Sequence, residues 1–401
     1  MAQTSKRRRW LRAIPIAVVA LTAAIGVTWN AFRIRFDLER AEAISPAHPQ
    51  RRAQMVREAE DVLARFTHQA PMSGIVLIAE GDDILLERVF GTDGRGAPLT
   101  ATSKLTFGSL PKQLTGYLVQ RLVDRKQLRL DQSIGSVLSE LDGSAAGRPT
   151  IHQLLHMTSG LPNSVDLMTN LRLQLSDEWM PETELLDRVR GYELAFEPGT
   201  AYLYSNVGFR LLAIAATRVT NVSWPDLLAA QVLKPAGMTG AGLFGADVMD
   251  SDDVTRGQMP YRCFLLFGDP CLMTVPRWNY SALWGAGAMY ASARDWLAWS
   301  RFLKRSMVEE ATLFDRYTKP DLEDYGSGIG NKLLEAVDGS RVRVYSHSGG
   351  DPGHYGYFAF FPETDVTLVV LANADYASLG NYEIGDALRD LLAGLPYERV
   401  K

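Results

Sequence analysis

Three short stretches bring chemically versatile side chains close together along the chain. In "FGSLPK", Ser109 stands three residues ahead of Lys112. One turn apart on a helix, a hydroxyl and an amine point the same way and can exchange a proton directly or through one neighbour. A serine before a helix also serves as a plain N-cap, and Ser-x-x-Lys alone is weak evidence. In "EPGTAYLYSNVGFRLLAIAA", Tyr204 and Asn206 sit two apart. If that backbone is extended, both project into one cleft, where a phenol can relay protons and a carboxamide can hold a carbonyl or an amide. The competing reading is a loop whose Asn206 caps the next helix. In "YSHSGGDPGHYGYFAFFP", His347, Ser348, Gly349 and Gly350 lie at a strand end. Glycines there let a ligand approach the backbone, so that an N–H can point at a substrate oxygen.

Other chemistries leave fainter traces. His152 and His156 form an i, i+4 pair that could hold a metal from one helix face. No acid lies between them, no third ligand accompanies them, and Thr150 with Gln153 reads as a capping box, so the segment is expected to be an ordinary helix start without a metal. The chain has no Gly-x-Ser-x-Gly elbow, P-loop or dinucleotide fingerprint. A Ser-His-Asp hydrolase is therefore not expected, and neither is a cofactor.

The elements that must position these residues follow from periodicity. Leu110, Leu114, Tyr117, Leu118 and Leu122 share one helical face, so a helix begins at or near Ser109, with Pro111 tolerated in its first turn. Val207, Leu211, Ile214 and Ala215 mark the helix after Asn206. Met55, Ala59, Val62, Leu63 and Phe66 predict an N-terminal helix with one packed stripe. "GIVLIAEGDDILLERVFG" from Gly74 reads as a hairpin around Gly81-Asp82-Asp83. "RVRVYSHSGG", "YGYFAFFP" and "VTLVVLANA" read as strands, and "IGDALRDLLAGL" as a closing helix. Strands at both ends with helices between them predict one sheet completed by distant segments.

In order, Ser-x-x-Lys, Tyr-x-Asn and His-x-Gly resemble the serine β-lactamase and penicillin-binding-protein superfamily, in its class C branch with related esterases and D-aminopeptidases. "TIHQLLHMTSGLP" (150–162), "EPGT" (197–200), "LKPAGM" (233–238) and "GAGAMYASARDWLAW" (285–299) also look like segments of that family. The resemblance spans about Pro71 to Leu395. It implies an α/β (α+β) fold, with an antiparallel sheet from both chain ends, flanking helices and a helical subdomain. It further implies Ser109 as nucleophile, Lys112 as its base, Tyr204 in proton transfer and Asn206 orienting the substrate. The N–H groups of Ser109 and Gly350 would form the oxyanion hole. One departure bears on the substrate: class C β-lactamases carry Lys-Thr-Gly where this chain has His347-Ser348-Gly349. A histidine is mostly neutral at pH 7, so an ester or small peptide-like amide ranks above a β-lactam. The alternatives are a β-lactamase or D,D-peptidase acting on β-lactams or peptidoglycan stem peptides, and a non-catalytic membrane-tethered binding module on the same fold.

Composition limits the partners. Across 401 residues, 42 Lys and Arg face 46 Asp and Glu, so nothing calls for nucleic acid. The N-terminus is different: Lys6, Arg7, Arg8, Arg9 and Arg12 precede an apolar run from Ala13 to Trp29. Residues 1–12 are expected in the cytoplasm and 13–30 as a retained single-pass membrane anchor or export signal, a twin-arginine signal being a variant. That would place the body at the outer face of a bacterial inner membrane. Residues 31–50 read as a solvated linker and 51–398 as the hydrolase domain. Cys263 and Cys271 could bridge one short loop or remain thiols. The aromatic-rich segment from Tyr261 to Trp284 lines a pocket or packs as a loop.

Overall fold

The computed structural model describes residues 36–45, 50–175, 178–245, 253–262, 270–276, 279–374 and 383–401. Six strands make the main sheet: β1 (Gly74–Glu80), β2 (Asp83–Phe90), β3 (Gly330–Glu335), β4 (Arg341–Asp351), β5 (His354–Phe361) and β6 (Val366–Ala372). They pair antiparallel in the order β2-β1-β6-β5-β4-β3. The two chain ends meet where β1 pairs with β6, Gly74 opposite Ala372. β5 and β6 are buried at every position because both faces of the sheet are covered, which explains their mostly apolar sequences. Alternate residues serve different cores: Leu77, Phe358 and Val369 face one, while Val76, Ala359 and Val370 face the other.

Seven helices matter for the site: α1 (Arg51–Gln69), α2 (Lys112–Asp124), α3 (Ile151–Leu155), α4 (Asn206–Thr220), α5 (Ala293–Glu309), α6 (Ala311–Thr318) and α7 (Ile384–Ala393). The stripe Met55, Ala59, Val62, Leu63 and Phe66 is buried and joins α7 over one face of the sheet. Each large side chain of that stripe stabilises the fold by roughly 2 kcal/mol relative to exposure. α2, α4 and α5 contribute to the other core. Its central member, α2, departs from the one-sided pattern. Beyond its leucine stripe it buries Lys112, Gln113, Thr115, Gly116 and Gln120 as well. A Cβ at Gly116 would lie 1.6 Å from the Ser327 carbonyl oxygen, so glycine there lets the neighbouring loop touch the helix backbone.

The expected linker is corrected by the structure. Leu38–Ala41 pairs antiparallel with Tyr397–Val400, Phe36 stacks on Phe66 with centroids 5.1 Å apart, and Arg399 bonds Glu39. The apolar residues Phe36, Ala41 and Ile44 of that segment are buried, so this part of it packs against the body. Cys271 is disulfide-bonded, and the chain's other cysteine, Cys263, lies outside the described residues. The basic N-terminus and apolar run also lie outside them. Among the described residues no helix is long and apolar enough to cross a membrane.

Candidate active site

Ser109 lies in a turn before α2, and its hydroxyl is not a cap: α2 begins at Lys112 with Pro111 in the N-cap position and no side-chain cap bond. The turn closes through the Lys112 N–H to the Ser109 carbonyl at 3.1 Å, which carries the lysine side chain back over the serine. Lys112 Nζ lies 2.8 Å from Ser109 Oγ and donates to the Ala286 carbonyl at 2.7 Å. It also sits over the Tyr204 ring, 4.9 Å from the centroid, with Phe209 of α4 at 5.9 Å. The side chain is fully buried, and burial alone holds its pKa well below 10.5. Burial thus favours the neutral amine over the ammonium at this position.

Tyr204 comes from an extended segment before α4, and its hydroxyl hydrogen-bonds Ser109. Burial raises the phenol above its ordinary value of 10, so it stays protonated at neutral pH. Between the two residues singled out in Tyr-x-Asn, it is Ser205 that caps α4, accepting from the Gly208 N–H at 2.9 Å. Asn206, at the first helical position, instead donates from Nδ2 to Asn163 Oδ1 at 2.9 Å.

His347, Ser348, Gly349 and Gly350 lie at the C-terminal end of β4, as expected. A Cβ at Gly349 would stand 2.2 Å from the Phe107 carbonyl oxygen and 2.4 Å from the Ser109 nitrogen; one at Gly108, whose φ is +55°, would stand 2.3 Å from the Gly350 nitrogen. Glycines at these two places let the serine's backbone lie directly against β4, which brings the Ser109 and Gly350 amides into one neighbourhood. His347 is buried, bonded at Nε2 to the Tyr325 hydroxyl (3.0 Å) and at Nδ1 to the Ser348 carbonyl. Burial, the largest cause, lowers its pKa to about 3. The imidazole is therefore neutral, with Nδ1–H donating and Nε2 accepting from Tyr325.

Two cavities flank this cluster. One, of about 560 Å³, is lined by Tyr204, Tyr325, His347 and Ser348 with Glu323 and Lys332 at its wall. The other, of about 260 Å³, is lined by Asn163, Asn206, Asn279, Leu283, Gly350 and Asp351. Asn279 and Leu283 belong to the aromatic-rich segment, part of which therefore does line a pocket; residues 263–269 and 277–278 of it lie outside the description. Sequence reasoning missed Tyr325, Asn163 and the Ala286 carbonyl. The glycines around Ala286 were a signal, because Gly285 (φ +85°) packs against the Phe209 backbone and its carbonyl accepts from Thr115. Tyr325 had no signal, since it is brought to His347 by the fold alone.

The family model for Beta-lactamase matches residues 59–390. The chain belongs to the Beta-lactamase family. Within it, a penicillin-binding protein of Bacillus subtilis (strain 168) is 24% identical over 355 residues, covering 81% of this chain and 73% of that one. A D-aminopeptidase of Brucella canis is 26% identical over 300 residues, covering 72% of this chain, which spans only 54% of the D-aminopeptidase. Among solved structures, the octameric penicillin-binding protein homologue from Pyrococcus abyssi superposes with a TM-score of 0.69 at 21% identity, covering 85% of this chain and 78% of that one. These likenesses agree with the antiparallel sheet and flanking helices described above. The chemistry of the Beta-lactamase family is that of a serine hydrolase.

Proposed function

We propose that this chain hydrolyses an ester or a small amide or peptide bond through an acyl-enzyme on Ser109, with β-lactams the poorer substrates. The observation that carries the reading is a fully buried Lys112 amine, 2.8 Å from Ser109 Oγ, with its pKa lowered by burial. In this reading Lys112 takes the hydroxyl proton as Oγ bonds the carbonyl carbon. The amides of Ser109 and Gly350 receive the negative oxygen, each such donor contributing about 3 kcal/mol of transition-state stabilisation. The proton held by Lys112 is relayed through the Tyr204 hydroxyl to the leaving group, so both regain their starting forms, and the same pair then takes a proton from the water that releases the acyl group. Asn206 orients the substrate from the smaller cavity.

The substrate ranking rests on His347. Its pKa of about 3 leaves no cation at that position at neutral pH, whereas the carboxylate of a penicillin needs one. The likeness to a D-aminopeptidase supports an amino-acid-derived amide. The test compares a short-chain p-nitrophenyl ester, a D-amino acid amide and a chromogenic cephalosporin on the wild type and on Ser109→Ala. Loss of turnover in the variant by about a thousandfold or more is expected. Equal hydrolysis by both proteins would remove Ser109 from the reaction, and a preference for the cephalosporin would reverse the ranking. The same reading places the body outside the cytoplasm, supported by the basic and apolar N-terminal sequence and by the disulfide at Cys271. Protease accessibility of the body in spheroplasts tests it, and protection would refute it.

A further inference from the structure

The histidine pair set aside in the sequence acquires a third ligand in the fold. His152 lies in α3 and His156 follows it at the C-cap, their rings 4.2 Å apart and tilted by 31°. Asp321, just beyond α6, reaches the same place: its Oδ2 is 3.1 Å from His152 Nε2. One ligand atom from each of the three residues lies within 4.8 Å of the others. The edge between two ligands of a tetrahedral zinc, with bonds of about 2.0–2.1 Å, is about 3.3 Å. The His152–Asp321 edge already has that length, and the half-exposed side chains of both residues can close the others.

His156 is prepared as a ligand in a further way. It is buried, and its Nδ1 faces the Tyr325 carbonyl at 3.3 Å. A carbonyl accepts only from N–H, so Nδ1 carries the proton and Nε2 keeps its lone pair. This backbone orientation of the second imidazole nitrogen is the usual support for a metal-bound histidine. Two neutral imidazoles and one carboxylate suit zinc or a similar divalent transition metal better than calcium or magnesium, which prefer oxygen ligands. The charge of Lys319 also acts on His156 and opposes a cation, while that of Asp321 favours one.

We propose that His152, His156 and Asp321 form a binding site for zinc or a similar divalent transition metal, with three protein ligands and a fourth position open to solvent. The site ties α3 to the loop after α6. That loop carries Tyr325, whose carbonyl holds His156 and whose hydroxyl holds His347, so the bound ion steadies the wall of the larger cavity without touching Ser109.

The test is calorimetric titration of zinc into the EDTA-treated full chain, alongside His152→Ala and Asp321→Asn, with cobalt absorption reporting ligand geometry. Both substituted residues are partly exposed and outside the hydrolytic cluster, so both variants should fold and, in EDTA, keep the hydrolysis of the wild type. One ion per wild-type chain is expected, with affinity falling at least tenfold in each variant and a tetrahedral cobalt band lost with it. Absence of saturable binding by the wild type would overturn the proposal. So would undiminished affinity and an unchanged cobalt spectrum in both variants, which would locate the ion elsewhere.

Discussion

Acidification should destabilise this protein through His347, by an amount that can be stated. Burial lowers the imidazole's pKa from 6.5 to about 3. The unfolded chain therefore binds a proton at His347 over an interval in which the folded chain does not. That contribution to stability is complete above 6.5 and is lost as pH falls towards the folded value. At about 1.4 kcal/mol per pH unit, the loss between 6.5 and about pH 4 amounts to about 3 kcal/mol. His347→Gln removes the titration while leaving an amide that can still accept from the Tyr325 hydroxyl. Urea unfolding followed by tryptophan fluorescence, at neutral pH and near pH 4, would measure the change in stability for both proteins. The wild type should lose about 3 kcal/mol more than the variant, since the two proteins differ only at position 347. Equal losses would show that His347 titrates normally in the folded state, and the account of a neutral, buried imidazole would fail.

Lys112→Met should abolish hydrolysis yet raise the unfolding free energy at neutral pH, because a lysine whose folded pKa lies below 10.5 costs stability at any pH under that value. The gain should shrink as pH approaches 10.5; a pH-independent difference in unfolding midpoint would contradict the depressed pKa. Gly349→Ala should push β4 away from the serine's backbone, since the added methyl meets the Phe107 carbonyl oxygen at 2.2 Å and the Ser109 nitrogen at 2.4 Å. A fall in kcat of about a hundredfold is expected from misplaced oxyanion donors, and an unchanged kcat with an intact circular dichroism spectrum would refute that geometry.

Local pattern was a good guide wherever one short segment decides its own conformation. The stripe of α1, the β1–β2 hairpin and the Thr150–Gln153 capping box all follow from spacing of two or about four residues, and each is present. It was a poorer guide to the segment around Phe36, where charges and prolines suggested solvent. That strand exists because the chain's last strand lies beside it, a fact no local window contains.

For the site, the sequence by itself determined the inventory: a hydroxyl and an amine one turn apart, a phenol beside a carboxamide, and glycines flanking a strand histidine. It also determined their order, which carried the family. Only the tertiary structure decided what those groups are. Burying Lys112 lowers the pKa of its amine, because desolvation penalises the ammonium. Burying Tyr204 has the opposite sign and keeps a phenol protonated, because there the charged form is the phenolate. Tyr325 reaches His347, and Asp321 reaches two histidines, across separations that periodicity cannot see. Ionisation and long-range juxtaposition depend on what surrounds a residue in space, and that is set by the packing of the sheet against the helical subdomain.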